Sequence, residues 1–411
     1  FLSSHYINVG NTALNLNKVV DAIEVERDTS VLNVSKLADI FRDRNLVTMS
    51  YDVDLFHAGL KVSKNYFSIN GTIRNGFKFS YPGDLFDLVF EGNGGQNLDK
   101  DFDLAFGFDA NQYFEWGFAW SRDFMDDKLR LGARIKLLNG INNFSTAKSE
   151  MIFNTASDDF ALTLKPDIEL RMASSVLNTS DNGFFGDSTD DPEIRIGSFL
   201  GFSNMGTGID LGATYEFTER IHLSAALNNI GAIKWNTNTF IVKSRNPGKA
   251  VTFDGVNLDN LLDSADGKFD EILSQLGDSF SDQLQFDTIN DAYTTRLNPE
   301  FYIGGNFNLT KNHNAAILLY GNFYNRKLYP AATLSWNSRI TRFLSVSLSY
   351  SYLNRSFSNA GAGLSLNLGP TQWYFVSDNI LGALRPSSQQ NINLRFGMNL
   401  TFRRKVKEGD A

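Results

Sequence analysis

From Asn391 to Phe402 the chain reads NINLRFGMNLTF, with Ile392, Leu394, Phe396, Met398, Leu400 and Phe402 apolar and Asn391, Asn393, Arg395, Gly397, Asn399 and Thr401 polar or small. A strand sends alternate side chains to opposite faces, so this segment has one apolar and one wet face. In a soluble sandwich the apolar face meets a second sheet. In a transmembrane barrel it meets lipid, and the wet face lines the lumen.

The same period recurs upstream. Met49, Tyr51, Val53 and Leu55 share a face, as do Phe67, Ile69 and Ile73 after a Ser63-Lys64-Asn65 turn. Phe102 to Phe108 and Phe114 to Trp120 alternate in one parity, which fits one long strand or two, and Asp126-Asp127 predicts a tight turn into LRLGARIKLLNG. Phe160 to Met172 sets Phe160, Leu162, Leu164, Ile168, Leu170 and Met172 against Thr163, Lys165, Asp167, Glu169 and Arg171. So charged a face suits a watery lumen better than a packed core. The second half reads as successive hairpins (GIDLGATYEF/IHLSAAL, FYIGGNFNL/AAILLYGNFY, LYPAATLSW/FLSVSLSYSY, GAGLSLNL/TQWYFVS) at the spacing of an up-and-down barrel.

Other periods interrupt the strands. Val31, Val34, Leu37, Ile40 and Phe41 fall at helical spacing with Ser30 as cap, so residues 1–45 read as an N-terminal segment with a short helix at the barrel's end or inside it. Pro82 to Phe90 reads as another short helix. Between 237 and 298 lies the longest insertion, where Leu258, Leu261, Leu262, Phe269, Ile272, Leu273, Leu276 and Phe280 make an amphipathic stripe. Such a stripe is a lid on its own barrel or a surface that docks a partner. Seven strands follow it from Phe301 to Phe402, so a periplasmic C-terminus makes the insertion extracellular. The barrel occupies 46–403, and 404–411 is a periplasmic tail.

Composition narrows the class. Of 411 residues 13% are aromatic, 35 of them Phe, yet mean hydropathy is −0.23. No run of about 18 apolar residues offers a spanning helix. A barrel satisfies all three facts, because only half its strand residues touch lipid and aromatic girdles mark both interfaces. The chain lacks cysteine, which removes disulfides and thiolate metal sites. Its net charge of −8 argues against nucleic acid as a partner. FLSSHYINVG has no basic segment followed by an apolar one, and since a barrel must be exported, a signal peptide is expected to have been removed or left out of this numbering.

Candidate chemistry is sparse. The four histidines, His5, His57, His222 and His313, fall in no hydrolase pattern, and GFSNMG at 201–206 is not a nucleophile elbow. The expectation is a non-enzyme without cofactor. Asp181, Asn182, Asp187, Asp190 and Asp191 crowd one loop (181–191) whose oxygens suit calcium, but the spacing is no EF-hand and a solvated acidic loop is expected. Lumen lining is expected from Lys165, Asp167, Glu169, Arg171 and Arg395, with Asn306, Asn308, Ser345, Ser347, Ser349, Ser351, Asn393 and Asn399.

At GIDLGATY (208–215), LSAALNNIGAIKW (223–235), NPEFYIGG (298–305) and the closing NINLRFGMNL the chain resembles an uncharacterised family of Bacteroidota outer-membrane barrels. That family is distantly similar to FadL-type transport barrels and to the PorV and PorP/SprF-type barrels of secretion and gliding. The resemblance implies about 14 strands, against up to 16 counted directly, and brings no catalytic motif. The fold expected is an all-β, antiparallel up-and-down transmembrane barrel in the bacterial outer membrane, bathed in lipid and lipopolysaccharide. Its expected role is an accessory subunit of an envelope secretion or assembly machine, with other outer-membrane proteins or lipoproteins as partners. The alternatives are passive transport of a small hydrophobic molecule, or a purely structural barrel.

Overall fold

The computed structural model describes residues 4–13, 15–26, 29–176, 201, 203–253, 284–324 and 327–400. The stripe from Leu258 to Phe280, the 181–191 loop and the tail beyond 400 lie outside them. Fourteen antiparallel strands form a closed wall. They are β1 (Ser4–Asn11), β2 (Arg44–Val62), β3 (Asn65–Pro82), β4 (Gly107–Phe124), β5 (Leu129–Thr155), β6 (Met205–Glu216) and β7 (Ile221–Trp235). The circuit continues with β8 (Glu300–Asn308), β9 (His313–Tyr324), β10 (Lys327–Arg339), β11 (Leu344–Leu353), β12 (Ser356–Leu368), β13 (Thr371–Ser377) and β14 (Asn391–Leu400). Each strand pairs with the next, and β14 pairs back onto β1, Ile7 facing Leu394.

β1 corrects one expectation. Residues 1–45 read as a segment outside the wall, yet Ser4–Asn11 sits in it, hydrogen-bonded to both β14 and β2. Its eight residues fall just short of the about 9–11 tilted strand residues that cross the hydrocarbon, and so short a run of alternation is easily passed over. The helix expected over 31–41 shrinks to Val34–Ala38, since Thr29–Leu32 pairs with Ile23–Glu26 as a small hairpin. Asn33, not Ser30, accepts the hydrogen bond of the first turn, from the Lys36 N–H. The helix read near 82–90 forms as Asp84–Glu91.

One end carries tight turns: Ser63, Met125, Asp126 and Asp127 take positive φ there. The other carries every long connection among the described residues. Towards the long-loop end the wall rises into a collar on one side. The upper half of β5 pairs with Leu162–Ser174, which pairs in turn with Thr239–Ser244 and Val251–Phe253. Phe286–Ile289 and Tyr293–Arg296 complete it.

All fourteen strands present large apolar side chains outward and exposed: Ile7, Met49, Phe67, Trp120, Ile135, Ile209, Leu223, Ile303, Ile317, Leu334, Leu348, Leu364, Phe375 and Ile392. No helix among the described residues is long and apolar enough to cross a membrane. A girdle of hydrocarbon-loving residues around a closed wall is stable only where hydrocarbon surrounds it, and closure leaves no strand edge unpaired in lipid.

Candidate functional site

The lumen holds an ionic belt. Asp52, Arg74, Glu115, Arg134, Lys136 and Asp210 come from the adjacent strands β2, β3, β4, β5 and β6. Arg74 meets Asp52 at 2.7 Å and Glu115 at 3.6 Å. Lys136 meets Asp210 at 2.7 Å and Glu115 at 3.7 Å, and Arg134 pairs with Glu115 and lies 3.7 Å from Asp210. Three anions face three cations, with Glu115 and Lys136 almost wholly buried. Taking such charges out of water costs several kcal/mol each, offset here because Glu115 faces three opposite charges and Lys136 two. Gly117 makes the approach feasible: a Cβ there would fall 2.3 Å from both the Arg134 guanidinium and Asn70.

A bulge completes the belt. Opposite Asp210, β7 carries the extra residue Asn229 at φ +62°. Asn229 donates its N–H to Asp210 (2.8 Å) and accepts from Lys136 (2.7 Å), so the irregular backbone fixes both partners of the ion pair.

A second polar group adjoins the belt on the next strand. Glu300 on β8 accepts from the hydroxyls of Tyr302 (3.0 Å) and Tyr320 (3.1 Å) and from the Asn322 amide (3.1 Å). Lys78 on β3 crosses the lumen to donate to Asn322 on β9 at 3.4 Å and stands 4.5 Å over the Tyr324 ring.

Towards the long-loop end the interior becomes apolar. Along β4 Tyr113 lies on that side of Glu115, and along β5 Leu138 lies on that side of Lys136. They pack with Ala173, Ile233, Trp235, Ile241 and Tyr293, flanked by Ile289 and Leu297. Trp235 is fully buried and donates its indole N–H to Thr295 at 2.8 Å, and Tyr293 donates to Asn143 at 2.8 Å. Beside this cluster the ladder on β7 thins to one hydrogen bond, from the Leu297 N–H to the Gly231 carbonyl at 2.9 Å. Asn228 pairs with Glu300 and Ala232 with Arg296, while Pro299 between them has no N–H to give.

Of the residues expected to line the lumen, Arg395 lies 3.4 Å from Asp54 and above the Tyr6 ring. Lys165, Asp167, Glu169 and Arg171 sit elsewhere. Their strand belongs to the collar, paired with Ser145 to Thr155 of β5 and not with a full wall strand. There Asp167 pairs with Lys148, whose ammonium it holds above the usual lysine range, and Arg171 pairs with Glu169 at 2.6 Å. His222 meets Asn308 at 2.9 Å, His313 stacks on Trp336, and His5 stacks on Phe396. Among the described residues no group of acids and histidines is arranged to hold a metal.

Apolar outside, polar and cross-linked inside, closed by its first and last strands: this architecture defines a transmembrane β-barrel of the outer-membrane type. The chain belongs to the family of unknown function DUF5723, which it matches over residues 1–378. No curated protein matches it. Similar solved structures include the Ralstonia pickettii toluene transporter TbuX (9% identity, TM-score 0.42, covering 98% of this chain and 89% of that one). The P. putida toluene transporter TodX gives 9%, 0.41, 98% and 90%. A Pseudomonas aeruginosa FadL homologue gives 9%, 0.38, 97% and 88%. Likeness of this depth carries nothing about cargo.

Proposed function

We propose that the protein is a bacterial outer-membrane conduit for a small, mainly apolar molecule, with its short-turn end and C-terminus in the periplasm. The observation that carries this reading is the inward-facing cluster around Leu138, Ile233, Trp235 and Tyr293. A barrel that only holds water needs no such patch inside; a hydrophobic passenger does. The ionic belt beneath it and the Lys78 brace obstruct water and ions, so the passenger displaces side chains of the cluster to enter. The thinned pairing beside Pro299 gives it a way into the bilayer. The orientation follows the habit of such barrels, short turns inside and long loops outside.

The proposal includes no catalysis and no cofactor. The accessory-subunit role, and kinship with the PorV and PorP/SprF-type barrels of Bacteroidota, rest on the sequence pattern alone, because the stripe that motivated docking lies outside the described residues.

Uptake of a labelled monoaromatic hydrocarbon and a labelled medium-chain fatty acid into proteoliposomes tests the reading. Faster entry than in protein-free vesicles, cut at least tenfold by Leu138→Asp, is expected. Entry equal to that of empty vesicles for both probes overturns it.

A further inference from the structure

On the lipid-facing side of β8 to β11 lies an apolar groove of about 870 Å³. Its floor is low because Gly305 has no side chain and Ala315 only a methyl. Phe307, Ile317, Trp336 and Tyr350, all exposed, stand around it. A smooth barrel wall would offer hydrocarbon no such recess.

Below the groove, three turns of the short-turn end are tied together. The Asn308 N–H donates to the Arg220 carbonyl at 2.8 Å and the Arg339 N–H to the Asn312 carbonyl at 2.8 Å. These turns carry Arg220, Lys311, Arg339 and Arg342, all exposed. No carboxylate among the described residues forms an ion pair with any of them, although Glu216 and Glu219 lie on the first turn. Elsewhere on the same rim Lys61 and Arg130 share Asp123 and Lys64 faces Asp127, while Arg122 and Lys128 form no ion pair among the described residues. Along β10, Trp336 is three residues from the last residue of the strand, about 10 Å at ~3.3 Å per residue; Arg339 itself, paired with Ser345, starts from the lumen side, and the turn beyond it carries Arg342. Such a distance is the reach from a phosphate to the upper part of its acyl chain.

We propose that the groove and its basic rim form a binding site for one anionic glycerophospholipid, an acyl chain lying between Phe307, Trp336 and Tyr350 and the phosphate held by Lys311 and Arg342. A phospholipid supplies both the hydrocarbon and the negative charge that this face lacks. A second copy of the chain docked here about a two-fold axis would bring its own basic rim alongside and repel. Aromatic side chains at the level of the headgroups complete an interfacial anchor. The site needs the barrel to sit in a bilayer and nothing of the cargo reading.

Delipidated full-length protein, titrated with phosphatidylglycerol, phosphatidylethanolamine or diacylglycerol and read by native mass spectrometry, tests it. The expected result is retention of one phosphatidylglycerol at least tenfold tighter than diacylglycerol. The double variant K311E/R342E, altered only at exposed turns, loses that preference; Gly305→Leu, which fills the recess, weakens both lipids. Folding of each variant is checked by the faster electrophoretic mobility of an unheated barrel. Equal retention of the two lipids by the unaltered protein, or an undiminished preference in the double variant, overturns the proposal. Vesicle uptake is a separate readout, so failure of the cargo reading leaves this result standing.

Discussion

Glu115 is where the ionic belt converges, since Arg74, Arg134 and Lys136 all lie within 4 Å of its carboxylate. Truncating it leaves three cations facing two anions around a position that is itself almost wholly buried. Glu115→Ala is therefore expected to destabilise the barrel by about 3–5 kcal/mol, measured by urea unfolding in lipid vesicles. Replacing both ends of a buried pair with apolar groups removes charge and partner together. Glu115→Leu with Lys136→Leu should accordingly cost less than Glu115→Ala alone. A loss under about 1 kcal/mol for the single variant would mean that water reaches the belt. These residues were visible in the sequence. Glu115 stands between Phe114 and Trp116, Lys136 between Ile135 and Leu137, and Asp210 between Ile209 and Leu211. A lone charge interleaved with apolar neighbours points to the wet face. What sequence does not supply is cross-strand register, and only register shows that three such charges from different strands meet.

Elements were legible where a period of two ran long and ended in a recognisable turn. Asp126-Asp127 closes β4 onto β5 as expected, and the two alternating runs upstream prove to be one strand from Gly107, preceded by the two-residue Phe102–Asp103. The run from Phe160 to Met172 was read correctly as a strand but assigned to the lumen. Its alternation is as regular as that of a wall strand, and height above the wall is a tertiary property without a local signature. Interruptions were equally silent. Asn204, fully buried, accepts from the N–H groups of Asn236 and Thr237 and thereby ties β6 to the point where β7 gives way to the collar. At that level Gly140 packs flat against Trp235, and a Cβ on it would meet the indole ring at 2.5 Å. Gly140→Ala is expected to push Trp235 off its hydrogen bond with Thr295 and to cost about 1–3 kcal/mol, as overpacking does. The Trp235 contribution to the fluorescence, isolated by comparison with Trp235→Phe, should shift to the red as the ring meets water. An unmoved spectrum and an unchanged unfolding midpoint would show that the collar yields without strain.

At the scale of the molecule, closure depends on β1. Without Ser4–Asn11 between β14 and β2, both neighbours would present unpaired backbone groups to hydrocarbon, each costing several kcal/mol. The sequence left this strand outside the wall because its alternation is short and a helical pattern follows it closely. Cysteine cross-linking reads the closure directly, since the chain has no cysteine of its own to compete. Val9 and Ile392 are cross-strand partners, and antiparallel partners stand about 4.5–5.5 Å apart between Cα atoms, within the span of a disulfide. The double variant Val9→Cys with Ile392→Cys should oxidise to near completion in the folded, membrane-inserted protein. The bond then joins residues 383 positions apart, and the denatured chain should migrate as a compact, reducible ring on gels. Pairing Val9→Cys with Leu348→Cys, on the outward face of β11, should give no cross-link. If the two pairs oxidised alike, or neither did, Ser4–Asn11 would not hold a fixed place in the wall. Thirteen strands would then remain, an odd number that puts the two ends of the wall on opposite sides of the membrane. The shared short-turn end of β1 and β14, and the assignment of that end to the periplasm, would fall together.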